Sequence, residues 1–178
     1  MGKGTFGQVV ACEETDTGNK VAIKVIKNKE AYKNMGISET KILLLVYITQ
    51  LQKEDPDQKF HCQKMIDYFF FRSHLCIVTE LLGSSLYQKI EENHHNGYDL
   101  ETARYLVQQV CEFLEFFKKK QIIHCDLKPE NVLFLQNNSK MVNIIDFGSA
   151  VFEDNTIYTY IQSRFYRAPE VILGHKYI

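Results

Sequence analysis

The chain has 178 residues, 45% hydrophobic, 24% charged and 12% aromatic, with 21 basic side chains against 22 acidic ones. This is the composition of an ordinary globular domain, and a net charge of -1 supplies neither a basic field for nucleic acid nor a polybasic membrane anchor. The longest apolar run, residues 42–48, falls far short of the ~20 residues of a membrane helix. No apolar signal core opens the chain, and five cysteines without a C-x-x-C pair read as reduced thiols of an intracellular protein, cytoplasmic or nuclear. No nucleic acid and no membrane partner is expected.

In chain order, a strand over residues 8–12, a turn cluster over 15–19 and a β-branched strand over 21–26 predict a hairpin. A helix over 38–46 follows, its start left open by Gly36. Two apolar runs, 65–71 and 75–82, joined by Arg72-Ser73-His74, predict a second hairpin, and a boundary falls near Gly83-Ser84-Ser85. From Leu100 the period becomes helical, with Ala103, Leu106, Val107, Val110, Phe113, Leu114 and Phe117 leading to the basic stop Lys118-Lys119-Lys120. Short strands are expected over 132–135 and 142–145, separated by a polar turn over 136–140.

Gly2-Lys3-Gly4-Thr5-Phe6-Gly7-Gln8-Val9 has the spacing G-x-G-x-x-G-x-V, in which small residues let backbone N–H groups approach phosphate oxygens. Alone, the string suits a plain turn equally well. A dinucleotide fold opens a helix directly after such glycines, whereas strand residues Val9 and Val10 follow here, which argues against that fold. Lys24 stands inside the apolar strand, where a lysine ordinarily just faces solvent. Glu39, in the following helix, is placed to pair with it and aim the ammonium at phosphates; the alternative is that Glu39 and Lys41 solvate a helix face.

The most specific string is His124-Cys125-Asp126-Leu127-Lys128-Pro129-Glu130-Asn131. Asp126 suits a base that orients a hydroxyl, Lys128 a cation on a transferring phosphate, and Asn131 a neutral oxygen ligand for Mg²⁺. Asp146-Phe147-Gly148, after a strand, offers a second hard oxygen ligand, although Asp-Phe-Gly alone is more often a turn. His94-His95 reads as a solvated helix end rather than a metal site, and His124 as a packed, orienting histidine rather than a base.

Taken in order, the glycine loop, Lys24, Glu39, the catalytic string, Asp146-Phe147-Gly148 and Ala168-Pro169-Glu170 resemble a eukaryotic protein kinase over essentially the whole chain. The resemblance implies an α+β, two-lobed fold: residues 1–82 form a small antiparallel lobe and hinge, 83–178 a partial helical lobe, with ATP and Mg²⁺ between them. It implies ATP contacts at Gly2, Lys3, Gly4, Thr5, Phe6, Gly7, Val9, Ala22, Lys24, Thr79, Glu80, Leu82 and Leu133, with Ala22 and Leu133 about the adenine and Thr79 as gatekeeper. Lys128 within Asp-Leu-Lys-Pro-Glu-Asn resembles serine/threonine kinases more than tyrosine kinases, so protein substrates with Ser or Thr acceptors are implied.

Cys125, where arginine is usual, and the run from Tyr158 to Glu170 resemble the dual-specificity tyrosine-phosphorylation-regulated kinases; the homeodomain-interacting kinases have a similar catalytic loop. The first family usually carries phenylalanine where Thr79 stands, so a roomier pocket is expected here. The resemblance further implies autophosphorylation on Tyr160, with Arg164 and Arg167 receiving the phosphate, and substrates often near proline. Without those arginines, Tyr158 and Tyr160 would read as aromatic packing. Kinase domains of this kind continue for on the order of 80–130 residues past Ala-Pro-Glu, so the chain reads as incomplete at both ends. The alternative to an active enzyme is a silent fragment that binds nucleotide or a protein partner.

Overall fold

A computed structural model describes residues 2–3, 7–51, 59–155 and 159–177. β1 (Gly2–Lys3), β2 (Gly7–Glu13), β3 (Lys20–Ile26), β4 (Met65–Phe71) and β5 (His74–Glu80) form one antiparallel sheet in the order β1-β2-β3-β5-β4. The β2–β3 hairpin closes through a turn in which Gly18 takes a φ of 72°, a left-handed conformation that glycine adopts without strain. Arg72 and Ser73 both have positive φ, as a two-residue hairpin requires to match strand twist. β5 runs between β3 and β4 and is buried along its centre, which explains its unbroken apolar run Leu75 to Val78.

The helix after β3, α1 (Glu30–Leu51), begins eight residues before the expected start and carries Gly36 in its interior. The reason is packing. Gly36, Glu39, Thr40 and Leu43 are buried at helical spacing against the sheet, and a Cβ on Gly36 would come within 3.1 Å of Ile26 and 3.2 Å of Leu75. Glycine is what lets the helix approach so closely.

Two helices follow. α2 (Leu86–Glu92), given no bounds by the sequence although His94-His95 reads as a helix end, is opened by a capping box: the Gln88 N–H donates to Ser85 Oγ, and the Ser85 N–H donates to Gln88 Oε1. α3 (Leu100–Lys119) starts at Asp99, whose carboxylate accepts from the Thr102 N–H at 2.9 Å, and it buries Phe113, Phe116 and Phe117. β6 (Ile122–Ile123) pairs with β9 (Val151–Phe152), and β7 (Val132–Leu135) with β8 (Asn138–Ile144). β8 starts four residues earlier than expected, because the hairpin turns at Gln136-Asn137 and the polar residues 138–140 extend the strand. A four-residue helix, α4 (Pro169–Ile172), lies near the end.

One apolar core joins these parts. Ile26, Leu75 and Ile77 of the sheet and Ile42 and Leu43 of α1 continue into Phe113 and Phe117 of α3, Val142 and Ile144 of β8, and Phe147. Gln109 of α3 ties helix to strand, accepting from the Val142 N–H and donating to the Lys140 carbonyl, both at 2.9 Å. Among the described residues no helix is long and apolar enough to cross a membrane.

Replacing Gly36 by valine should overpack the contact between α1 and the sheet and lower unfolding free energy by about 1–3 kcal/mol, read as a reduced denaturant midpoint.

Candidate active site

Lys24 lies at the middle of β3, opposite Ile77 of β5, with its side chain on the sheet face that meets α1. Its ammonium donates to both oxygens of Glu39, at 2.7 and 2.8 Å, and to Asp146 Oδ1 at 2.7 Å. The pairing expected from sequence is therefore present, and Asp146 joins it from 122 residues away. Burial by itself would lower the lysine's pKa, but the two carboxylates more than offset that and hold it above its ordinary value. Burial also pushes the Glu39 carboxyl up against the pull of Lys24, while for Asp146 Lys24 prevails over burial and holds the carboxyl below its usual value. One cation and two carboxylates leave this cluster one negative charge in excess, which suits a further cation.

Asp146 takes a left-handed conformation, φ 64° and ψ 72°, immediately before buried Phe147. Phe147 is wedged beside Phe117 and His124, with ring centroids 5.4 and 5.5 Å away. His124 Nδ1 accepts from the Asp126 N–H at 3.2 Å, so its Nε2 carries the proton that meets the Ile145 carbonyl at 3.1 Å. Burial lowers its pKa and keeps the ring neutral. The histidine thus couples the Asp126 loop to the segment leading into Asp146.

The segment from His124 to Asn131 folds back on itself. Lys128 Nζ donates to Asp126 Oδ2 at 2.7 Å, and Asn131 Nδ2 donates to the Asp126 carbonyl at 2.8 Å. Ser163, from far along the chain, donates its hydroxyl to Asp126 Oδ1 at 2.6 Å and accepts from Lys128 at 3.0 Å. Asn131 is buried, and its Oδ1 accepts from no donor among the described residues; Asp146 Oδ2 is likewise unengaged. The backbone of Asn131 accepts from the Ile145 N–H at 2.9 Å, which sets the two ligand candidates on adjacent segments. No cluster of three or more His, Cys, Asp or Glu side chains able to hold a metal exists among the described residues. One carboxylate and one amide oxygen fit Mg²⁺, which completes its shell with water and phosphate oxygens.

Beside this cluster, Ala22 of β3 lies opposite Thr79 of β5, so Ala22, Thr79 and Lys24 share one sheet face. Thr79 is buried, and its Oγ1 accepts from Gln63 Nε2 at 2.9 Å. Glu80 is bound by the Lys64 N–H and Asn143 Nδ2, and burial pushes its carboxyl up. After it, Gly83 donates to the Phe134 carbonyl and Ser85 bridges Leu133, which brings Leu133 beside the connecting segment. Leu82, although buried, has neither backbone N–H nor carbonyl bonded among the described residues. A planar heterocycle with a donor and an acceptor edge would satisfy them. Gly7 packs so tightly on β3 that a Cβ would lie 2.3 Å from the Val25 carbonyl oxygen, and Val9 pairs with Lys24. Gly2 and Lys3 lie in β1, while Gly4, Thr5 and Phe6 fall outside the described residues.

Tyr160 is exposed, and the Arg167 guanidinium lies 4.0 Å from its ring centroid. A hydrogen bond from Arg167 lowers the phenol's pKa, with a smaller effect from Arg164. Arg167 also donates to the carbonyls of Ile161 and Gln162, at 2.9 and 3.0 Å. Tyr158 lies outside the described residues.

The sequence model of the protein kinase domain matches residues 1–178. The chain belongs to the protein kinase family. It is 44% identical over 177 residues to human dual specificity tyrosine-phosphorylation-regulated kinase 4, covering 99% of this chain and 33% of the relative. It is 48% identical to serine/threonine-protein kinase ppk15 of Schizosaccharomyces pombe, with 99% and 32% covered, and 45% identical to dual specificity protein kinase YAK1 of Saccharomyces cerevisiae, with 99% and 21% covered. The chain spans a third or less of the length of these relatives.

Two features of this site escape sequence reasoning. Ser163 is an ordinary loop serine by spacing, and Gln63 lies in a stretch without pattern; each matters only through a contact formed across the fold. Cys125, within the catalytic string, is buried and its thiol pushed up to about 11. At pH 9 only about 1% of it would be thiolate. Iodoacetamide at that pH should therefore label exposed Cys111 and leave Cys125 unmodified until the protein unfolds, as read by peptide mass spectrometry.

Proposed function

We propose that the chain is the catalytic part of an ATP-dependent protein serine/threonine kinase that also phosphorylates its own Tyr160. The observation that carries this reading is the convergence of Lys24, Glu39 and Asp146 beside an Asp126 carboxylate already oriented toward a serine hydroxyl. Relatives named as dual specificity and serine/threonine kinases support it.

Each residue then has a physical task. The adenine lies between Ala22 and Leu133 and bonds the free backbone of Leu82, next to Glu80. Lys24, steadied by Glu39, holds phosphate oxygens, beside Val9, with which it pairs across the β2–β3 ladder. Asn131 and Asp146 would hold Mg²⁺, which supplies charge neutralisation on the phosphates when bound. Asp126 orients the acceptor hydroxyl and receives its proton as the oxygen attacks the terminal phosphorus; the bond to the ADP oxygen breaks, and Lys128 offsets charge on the moving phosphoryl group.

The acceptor environment supports a substrate class. Gln162, just before Ser163, holds φ at 67°, with its N–H donated to the Cys125 carbonyl and its own carbonyl taken by Arg167. A substrate residue passing here finds no backbone acceptor for its N–H, and proline, which has none, loses nothing. Phosphate on Tyr160 would carry roughly -1.5 to -2 charges toward Arg167 and Arg164, ordering the loop.

A second reading, a silent fragment that binds nucleotide or a protein partner, is favoured by apolar side chains exposed on α3 and α4, among them Leu100, Val107 and Ile172. Phosphopeptide mass spectrometry on the chain expressed in bacteria, beside Asp146→Asn, separates the two. Phosphate on Tyr160 in the parent alone is expected; a folded parent without any would leave the fragment reading standing. Asp126→Asn should lower peptide phosphorylation kcat by about 10²–10⁴-fold with little change in KM for ATP.

A further inference from the structure

β4 is an outer strand of the sheet, and among the described residues it pairs only with β5. Most of it is apolar yet open to solvent: Ile66, Tyr68, Phe69, Phe70 and Phe71 are all exposed, Phe70 at 66% and Phe71 at 58%. Outer strands are ordinarily blunted by lysine, proline, a bulge or a covering segment. Here the bulge falls between Met65 and Asp67, at the start of the strand, and Asp67 is its one charged residue. From Tyr68 to Phe71 the sequence offers no such guard.

The ladder with β5 fixes which backbone groups remain free. Phe71 and His74 close the hairpin across Arg72 and Ser73, both at positive φ, so these two residues exchange both of their backbone bonds. Alternation then turns the N–H and C=O of Phe69 toward β5 and those of Tyr68 and Phe70 outward. The Tyr68 N–H agrees with this, since it donates to Asp67 Oδ1 at 2.7 Å rather than to β5.

We propose that the outer edge of β4 is a dimerisation surface, at which a second copy of this chain adds its own β4 antiparallel and joins the two sheets across a two-fold axis perpendicular to them. That symmetry sets Phe69 against the second copy's Phe69, a pair without mutual hydrogen bonds, and Tyr68 against the second copy's Phe70, whose outward backbone groups bond each other. The same register puts Asp67 opposite the second copy's Phe71, over whose ring the Arg72 guanidinium lies at 5.2 Å. Asp67 thus exchanges a backbone donor for a guanidinium, and Tyr68 exchanges Asp67 for a carbonyl. A strand with aromatic residues at its middle and opposite charges at its two ends is complementary to itself reversed, whereas a parallel, in-register arrangement would oppose like charges. The exposed side chains of β4 amount to on the order of 500 Å² per copy, which suits a weak, reversible dimer.

Sedimentation equilibrium of the full chain from about 1 to 300 µM should show a monomer–dimer equilibrium. Phe69→Cys under mild oxidation should give a dimer linked through residue 69, because a directly opposed pair of this kind lies within disulfide reach, while exposed Cys111 stays unlinked in peptide mass spectrometry. Asp67→Arg should weaken association about tenfold or more, and adding Arg72→Asp should restore it to within about threefold, a rescue that a merely damaged strand would not show. A folded parent that is monomeric throughout would overturn the proposal and leave the edge to an extended peptide of another protein. Linkage at Cys111 as readily as at residue 69, or a folded Asp67→Arg variant that associates like the parent, would also overturn it, since the contact would then lie elsewhere.

Discussion

Everything in the site hangs on one ammonium. Lys24 Nζ is the point at which β3, α1 and the segment after β8 meet, and each contributes a single side chain to it. None of the three elements has a reason of its own to lie there. β3 is held by the sheet, α1 by the close approach at Gly36, and the Asp146 segment by Phe147 inserted among Phe113, Phe117 and His124. Since a buried ion pair returns little net stability, the apolar core supplies the energy that brings these charges together. The charges in turn fix which arrangement of sheet and helix is kept.

How much of this was legible in the sequence depended on how local the cause was. β2, β3, β4, β5 and α3 follow from alternation, turn residues and a three-four apolar period, all readable within a window of residues. The first turns of α1 are hidden because Gly36, ordinarily a helix breaker, stands in its buried stripe. That a glycine there serves close packing shows only once the sheet is in place. α2 carried a readable signal, serine followed three residues later by glutamine, but its short, mostly exposed body gave no pattern to support it.

The site divides in the same way. Lys24, Asp126, Asn131 and Asp146 stand in strings whose spacing marks them, whereas Ser163 and Gln63 act through bonds to residues 37 and 16 positions away. Such partners are chosen by tertiary placement, and neither residue type is unusual where it stands. The contrast between Glu39 and Thr40 is instructive: adjacent on α1 and both buried, one reaches Lys24 and the other bonds the Gly36 carbonyl of its own helix. Composition alone would have treated them alike.

The occupation of Asp126 bears on what the site does when no protein substrate is present. Both carboxylate oxygens are engaged, one by Lys128 and one by the hydroxyl of Ser163. Ser163 is tethered to the loop, so it competes at the carboxylate with a high effective concentration. A water molecule entering the cleft meets an aspartate each of whose oxygens already accepts a hydrogen bond, and it brings no further binding energy with which to displace the serine. A peptide acceptor does, through contacts along its length. On the proposed reading, an acceptor hydroxyl would have to replace the Ser163 hydroxyl at Asp126 Oδ1, so the empty site is kept in an acceptor-like arrangement by its own chain.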